Sequence, residues 1–219
     1  MNEIKVTGII LSTGPIKDYD RRVVILTKEQ GKIHAFANGA RKPNSPLVGV
    51  THPFSFGEFI LFAGQSSYTI KSVKILNYFQ EVRTDLENAY YGFYFLELTD
   101  YYTREANDER GMLKLLYQTL RALTHDKIPN PLIRPIFELK ALTLNGMAPQ
   151  VSKEEFPTLS QSTLYTMDYI ISSKVESLYS FQVSDEVLAE LTLVMKGLQQ
   201  LHLDKKFNSL EMLEVFSLL

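Results

Sequence analysis

Apolar and polar positions alternate along the first eighty residues in a way that favours β-strands. Runs rich in β-branched and aromatic side chains recur at short intervals, each bounded by Gly, Pro, Asn or Asp. The pattern predicts strands over residues 4–13, 22–27, 33–37, 54–63 and 68–79. A hairpin turn is predicted between the second and third strands, at residues 29–32.

A long connection, residues 38–53, separates the third and fourth predicted strands. It opens with FANGARKPNS, in which Asn38 and Gly39 predict a turn with positive φ and Pro43 stiffens the residues after it. Short antiparallel strands with one long connection after the third match a five-stranded OB-fold barrel better than a sandwich, which usually needs about seven strands.

Beyond residue 80 the apolar positions recur at steps of three and four, which predicts helices. The predicted helices are residues 85–102, 109–124, 132–144, 184–203 and 209–218. Residues 152–184 are rich in Ser and Thr without a clear period, and no element is assigned there. We therefore expect two parts: an OB-fold nucleic-acid-binding domain over residues 1–80 and a helical domain over residues 81–219.

Composition excludes several classes of protein. Hydrophobic residues make up 45% of the 219 residues, which suits a packed core. The chain has neither an apolar run of membrane-spanning length nor a signal-peptide pattern, so we expect a cytoplasmic protein. It contains no cysteine, which excludes disulfides, thiol nucleophiles and thiolate zinc sites.

The formal net charge of −2 hides an asymmetry between the two parts. Residues 1–80 carry ten Lys or Arg against five Asp or Glu, a charge of +5. Residues 81–219 carry thirteen against twenty, a charge of −7. This distribution favours an anionic partner for the N-terminal part.

Catalysis has little support in the residue pattern. No two of the four histidines have metal-ligand spacing, and the chain lacks a P-loop, a G-x-G-x-x-G and a G-x-S-x-G motif. A weak enzyme built around Asp18, Asp20 and His34 is the one catalytic alternative left open. We expect a protein that is not an enzyme and needs no cofactor.

Nucleic acid on an OB barrel lies across strands 2 and 3 and between the loops joining strands 1 to 2 and 4 to 5. Most of the basic residues of the N-terminal part fall there. The DNA-binding candidates are Lys17, Arg21, Arg22, Lys28, Lys32, His34, Arg41 and Lys42. Tyr19, His34 and Phe36 offer rings for base stacking. We favour Phe36 as barrel core, in which case His34 also faces inward.

Three motifs, in this order along the chain, resemble the RecO family, recombination mediators of bacterial DNA repair. The first consists of Gly31-Lys32, Ala37, Gly39-Ala40-Arg41-Lys42, Ser45, Gly49 and Pro53-Phe54. The second is Phe137-Glu138-Leu139-Lys140 with Leu142, Leu144, Gly146 and Ala148-Pro149, and the third is Phe207-Asn208-Ser209-Leu210 with Leu213. The resemblance covers most of the chain.

One segment departs from the family pattern. Many RecO proteins follow the Gly-x-x-Pro turn with paired Cys-x-x-Cys sequences that form a zinc finger, whereas residues 150–164 here contain neither Cys nor His. We expect the zinc finger to be absent, with residues 150–184 in its place. Packing is expected from Phe156, Leu159, Leu164, Tyr165 and Tyr169.

The resemblance implies a function in recombination and repair. A RecO-like protein binds single- and double-stranded DNA, anneals complementary strands and acts with RecR to load a RecA-type recombinase onto DNA coated by single-stranded DNA-binding protein. It implies a cytoplasmic, nucleoid-associated protein. For the acidic, hydrophobic C-terminal tail of single-stranded DNA-binding protein, the candidate contacts are Arg104, Arg121, Arg134 and Lys140. The alternative is an OB-fold protein-interaction adaptor without direct DNA binding.

Overall fold

The computed structural model describes residues 2–65, 67–125 and 127–216. Its N-terminal part is a closed barrel in the strand order β1-β2-β3-β5-β4. The strands are β1 Glu3–Ile16, β2 Asp20–Thr27, β3 Gly31–Ala37, β4 Phe56–Ala63 and β5 Tyr68–Asn77. All neighbouring pairs are antiparallel except β3 and β5, which are parallel. The predicted five-stranded OB-type barrel is confirmed.

The barrel interior is filled by every second side chain along each strand, as strand geometry requires. On β3 the buried core positions are Ile33, Ala35 and Ala37. Lys32, His34 and Phe36 occupy the alternate positions and are half-buried. The assignment of Phe36 to the barrel core is therefore wrong, because the two small alanines take the interior positions on either side of it.

Most of the helices agree with the predicted ones to within a few residues, although two of those described have no predicted counterpart. They are α1 Gln80–Thr84, α2 Leu86–Tyr102, α3 Arg110–Leu123, α4 Asn130–Leu144, α5 Gln161–Ser172, α6 Asp185–His202 and α7 Asn208–Phe216. The five predicted helices correspond to α2, α3, α4, α6 and α7, although positions 217 and 218 of the last lie outside the described residues. Within the described part of the chain, no helix is long and apolar enough to cross a membrane.

Contacts divide the chain into two compact units. The first joins the strands, up to residue 80, with residues 96–113. The second comprises residues 81–95 and those from 114 onward. The change from strand to helix near residue 80 was expected, whereas the association of residues 96–113 with the strands was not. We call residues 96–113 the acidic segment, since they carry five Asp or Glu against two Arg.

Residues 152–184, to which no element is assigned from the sequence, contain α5 and a short 3-10 helix, Val175–Ser177. Ser160 caps α5, since its side chain accepts a hydrogen bond from the backbone N–H of Thr163. Leu159 and Leu164 are buried as expected. Tyr165 does not contribute to packing as expected, because it is 72% exposed.

Candidate nucleic-acid interface

Two loops meet at one end of the barrel, where β1 turns into β2 and β3 ends. The backbone N–H of Arg41 donates to the carbonyl oxygen of Tyr19 at 2.9 Å. The backbone N–H of Gly39 donates to Oδ1 of Asp20 at 2.7 Å, and Gly39 has the positive φ that the sequence predicts. These bonds fix the end of β3 against the β1–β2 turn. We call this region, which holds Lys17, Arg21, Arg22, Arg41 and Lys42, the basic end of the barrel.

A concave pocket of about 480 Å³ opens between these loops. It is lined by Lys17, Asp18, Tyr19, Asp20, Asn38, Gly39 and Lys42. Tyr19 is 55% exposed, and Nζ of Lys42 lies 5.5 Å from the centroid of its ring. That separation is within the range of a cation–π contact, which is worth about 0.5–1 kcal/mol at an exposed site.

An exposed arginine extends the basic end along the outer surface of the strands. Arg22 on β2 pairs in register with Phe36 on β3. Phe36 in turn pairs with Thr69, so the beginning of β5 lies beside the end of β3. Arg22 and Phe36 thus lie on strands 2 and 3, the strands across which nucleic acid lies in OB folds.

Arg21 belongs to the same end but faces the long connection after β3. Its Nη1 donates to the carbonyl oxygen of Val48 and to Oγ1 of Thr51, each at 3.0 Å, and lies 3.2 Å from Nε2 of His52. Burial, followed by the nearby charge of Arg41, lowers the pKa of Arg21. Arg21 thus stabilises the connection after β3 through these hydrogen bonds, and it adds a second positive charge next to Arg41.

The remaining DNA-binding candidates lie on β3 and in the hairpin between β2 and β3. Nζ of Lys32 donates to Oδ1 of Asp100 at 3.0 Å and to the Asp100 carbonyl oxygen at 2.7 Å. Nε2 of His34 lies 3.2 Å from Oε1 of Glu105. Lys28 is exposed beside the hairpin turn. The structure therefore brings five of the eight candidates together, namely Lys17, Arg21, Arg22, Arg41 and Lys42, and sets Lys32 and His34 against the acidic segment.

Comparison with known proteins agrees with this architecture. A family model described as "Recombination protein O N terminal" matches residues 1–79, which hold the barrel, and one described as "Recombination protein O C terminal" matches residues 83–156. The chain belongs to the RecO family. It is 29% identical to the DNA repair protein RecO of Acetivibrio thermocellus, over 98% of this chain and 97% of that protein.

Other RecO proteins give the same result. The DNA repair protein RecO of Alkaliphilus metalliredigens is 29% identical over 95% of this chain and 97% of its own length. That of Symbiobacterium thermophilum is 36% identical over 67% of this chain and 58% of its own length. The chain is therefore a member of a family of DNA repair proteins.

The four cations that the RecO resemblance suggests for partner binding lie in different surroundings. Arg104 and Arg121 are exposed. Nε of Arg134 pairs with Oε1 of Glu138 at 2.8 Å, one helical turn further along α4. Lys140 is buried, and its Nζ donates to the carbonyl oxygens of Ile170, Ile171 and Ser173. Arg121 is thus exposed on α3, whereas the Lys140 ammonium forms hydrogen bonds inside the second unit.

A buried polar network in the second unit has no signature in the sequence. Glu138 is 2% exposed, and its Oε1 accepts from the hydroxyl of Tyr94, from Arg134 and from Nε2 of Gln199. Burial raises the pKa of Tyr94 well above its usual range, and the charge of Glu138 adds to the effect. The run Phe-Glu-Leu-Lys signals only a helix, because the partners Tyr94 and Gln199 lie 44 and 61 residues from Glu138.

Proposed function

We propose that this chain is a recombination mediator that binds single- and double-stranded DNA at the basic end of its barrel and anneals complementary strands. With RecR it would help to load a RecA-type recombinase onto DNA coated by single-stranded DNA-binding protein. The observation that carries the proposal is that Lys17, Lys42 and the exposed Tyr19 line one pocket, at the end of the barrel where Arg22 and Arg41 also lie.

The charge distribution of the first unit supports this location. The acidic segment lowers the formal charge of the strand region from +5 to +2, since it adds two arginines and five carboxylates. Its carboxylates Asp100 and Glu105 pair with Lys32 and His34. The basic end has exposed cations that can reach phosphate, namely Lys17, Arg22, Arg41 and Lys42, and such contacts attach DNA without reading its sequence.

Titration of labelled single-stranded oligonucleotide at several salt concentrations tests the proposal. The logarithm of the association constant should fall linearly with the logarithm of salt concentration, with a slope of about −0.7 per neutralised phosphate. Joint replacement Arg41→Ala and Lys42→Ala should weaken binding to all sequences alike and make the slope about 1.4 less steep.

A matched control is available in the second unit, where Lys205 and Lys206 form another exposed consecutive pair. Their joint replacement by Ala should leave both the affinity and the salt slope unchanged. If the parent protein fails to bind at low salt, the proposal is wrong and the adaptor alternative is favoured. Equal losses in both double variants would place the interface away from the basic end.

The partner tail has a candidate position around Arg121 on α3. A pocket of about 310 Å³ is lined there by two cations, Arg121 and Lys127, one carboxylate, Glu176, and by His125, Ile128 and Tyr179, among others. Cations beside apolar side chains suit the acidic, hydrophobic C-terminal tail of single-stranded DNA-binding protein. Joint replacement of Arg121 and Lys127 by Ala should weaken binding of a labelled tail peptide, whereas Lys196→Ala on α6 should not. Unchanged peptide binding would remove this pocket from the proposal.

A further inference from the structure

The pocket at the basic end combines opposite charges in equal number. Lys17 and Lys42 contribute two positive charges, and Asp18 and Asp20 contribute two carboxylates. A phosphate entering the pocket would meet both carboxylates, and close like charges repel. The lining therefore has no net charge and can accept a neutral group, while the phosphates on either side of that group can contact the exposed Arg22, Arg41 and Lys42.

The wall of this pocket also carries a flat, accessible ring. Tyr19 is more than half exposed, and its backbone carbonyl oxygen is fixed by the N–H of Arg41. Lys42 contacts one face of the ring, so a planar ligand would stack on the opposite face. Tyrosine has only two side-chain torsions, so ordering it against a ligand costs little conformational entropy.

We propose that Tyr19 stacks against an unpaired nucleobase and that this contact gives the barrel a preference for single strands over duplex. The inference rests on the proposed DNA binding and deepens it. Bases in a duplex are already stacked and paired, so they offer no free face to the ring, whereas every base of a single strand does. Phosphate contacts at Arg22 and Arg41 serve both forms of DNA.

The same contact has a consequence for annealing. When two bound strands pair, their bases turn toward one another and leave the ring of Tyr19. The protein then holds the duplex through phosphate contacts alone, and the paired product is released more readily than either strand. Preference for unpaired bases thus favours turnover during annealing.

The test compares Tyr19→Ala with the parent protein on a labelled single strand and on a duplex of the same length and sequence. Loss of one stacking contact should weaken single-strand binding roughly 5-fold to 150-fold. Duplex affinity should change less than twofold. Tyr19→Phe keeps the aromatic ring, so its affinity for the single strand should match that of the parent protein.

An abasic single strand of the same length provides a second readout, since it keeps the phosphates and removes the bases. The loss of affinity on going from the normal strand to the abasic strand should be large for the parent protein and clearly smaller for Tyr19→Ala. Tyr165→Ala, which removes another exposed tyrosine, controls for loss of surface aromatic area and should match the parent.

The outcomes separate this inference from the proposed function. If the parent binds both DNA forms and Tyr19→Ala weakens them equally, or weakens neither, the stacking inference is overturned while DNA binding stands. Equal penalties for base removal in the parent and in Tyr19→Ala would overturn it as well. If the parent binds neither form, the proposed function fails.

Discussion

Two consecutive arginines on β2 carry the same charge in different surroundings. The side chain of Arg21 is half-buried and donates to Val48 and Thr51, whereas that of Arg22 is exposed on the outer face of the strand. Alternation along the strand sends the two guanidinium groups in opposite directions. Arg21 therefore stabilises the connection after β3, and Arg22 is available to a ligand.

Replacing these arginines one at a time should give two different effects, a loss of stability for Arg21 and a loss of DNA binding for Arg22. Arg21→Ala removes two charge-assisted hydrogen bonds and leaves the carbonyl oxygen of Val48 without this donor, so the free energy of unfolding should fall by about 2 kcal/mol. Arg22→Ala should change stability by less than about 0.5 kcal/mol and weaken DNA binding. Urea unfolding followed by circular dichroism measures the first effect. Equal unfolding midpoints for the two variants would contradict this assignment.

At the scale of elements, the hairpin between β2 and β3 depends on a glycine. Gly31 has a φ of 65°, a conformation that strains residues with a Cβ atom. A Cβ atom at this position would lie 2.5 Å from the carbonyl oxygen of Asn107 in the acidic segment. The adjacent Lys32 donates its backbone N–H to the carbonyl oxygen of Arg104. Gly31 thus lets the hairpin approach the acidic segment closely.

Gly31→Ala should lower the free energy of unfolding by about 2 kcal/mol or more, because backbone strain and the clash with Asn107 act together. Gly49→Ala is the matched control. No atom lies within 4 Å of a Cβ placed on Gly49, so this change should stay within about 0.5 kcal/mol of the parent. Denaturant unfolding of both variants provides the measurement. A Gly31→Ala protein as stable as Gly49→Ala would show that the hairpin does not need glycine.

The end of α5 is held by a lysine from α4. The last carbonyl groups of a helix have no partner within the helix, and a cation near them is favourable. Lys140 supplies this cation, since its Nζ donates to three carbonyl oxygens around the α5 terminus. This contact orders part of the segment that stands where many RecO proteins have a zinc finger.

Lys140→Met keeps most of the apolar side chain and removes the ammonium group. Since buried carbonyl groups lose a charged donor, the free energy of unfolding should fall by about 2 kcal/mol. Lys196→Met, at an exposed position on α6, should have little effect. The two variants are compared by urea unfolding under identical conditions. Equal stability would mean that the α5 terminus does not depend on Lys140.

Local patterns in the sequence suffice for most elements but not for contacts between distant residues. The strands and five helices can be predicted from periodicity, and the positive φ of Gly39 from the turn signal Asn38-Gly39. The position of Phe36 was predicted wrongly because alternation alone leaves open which face of β3 is inside, and the register with Val23 and Ile25 decides it. The pairing of Lys32 with Asp100 spans 68 residues, and no local pattern signals it. The three carbonyl partners of Lys140 are likewise distant from it in the sequence.

At the scale of the whole molecule, the positive charge of the strand region is partly neutralised by a distant segment of the chain. The acidic segment carries five carboxylates, two of which face Lys32 and His34. The basic end retains Lys17, Arg22, Arg41 and Lys42. A near-neutral chain can therefore present a local basic surface, and total charge would have hidden it.

Dialysis against a chelator is expected to leave the unfolding midpoint of the whole protein unchanged. The sequence contains no cysteine, and among the described residues no group of three or more His, Cys, Asp or Glu is placed to hold a metal ion. The segment after the Gly-x-x-Pro turn instead uses Leu159, Leu164 and the Lys140 contact at α5. Thermal unfolding before and after dialysis, with elemental analysis of the purified protein, checks this expectation. A lower midpoint after dialysis, or one zinc ion per chain, would show that a metal contributes to stability, because a bound structural metal adds its binding free energy to folding.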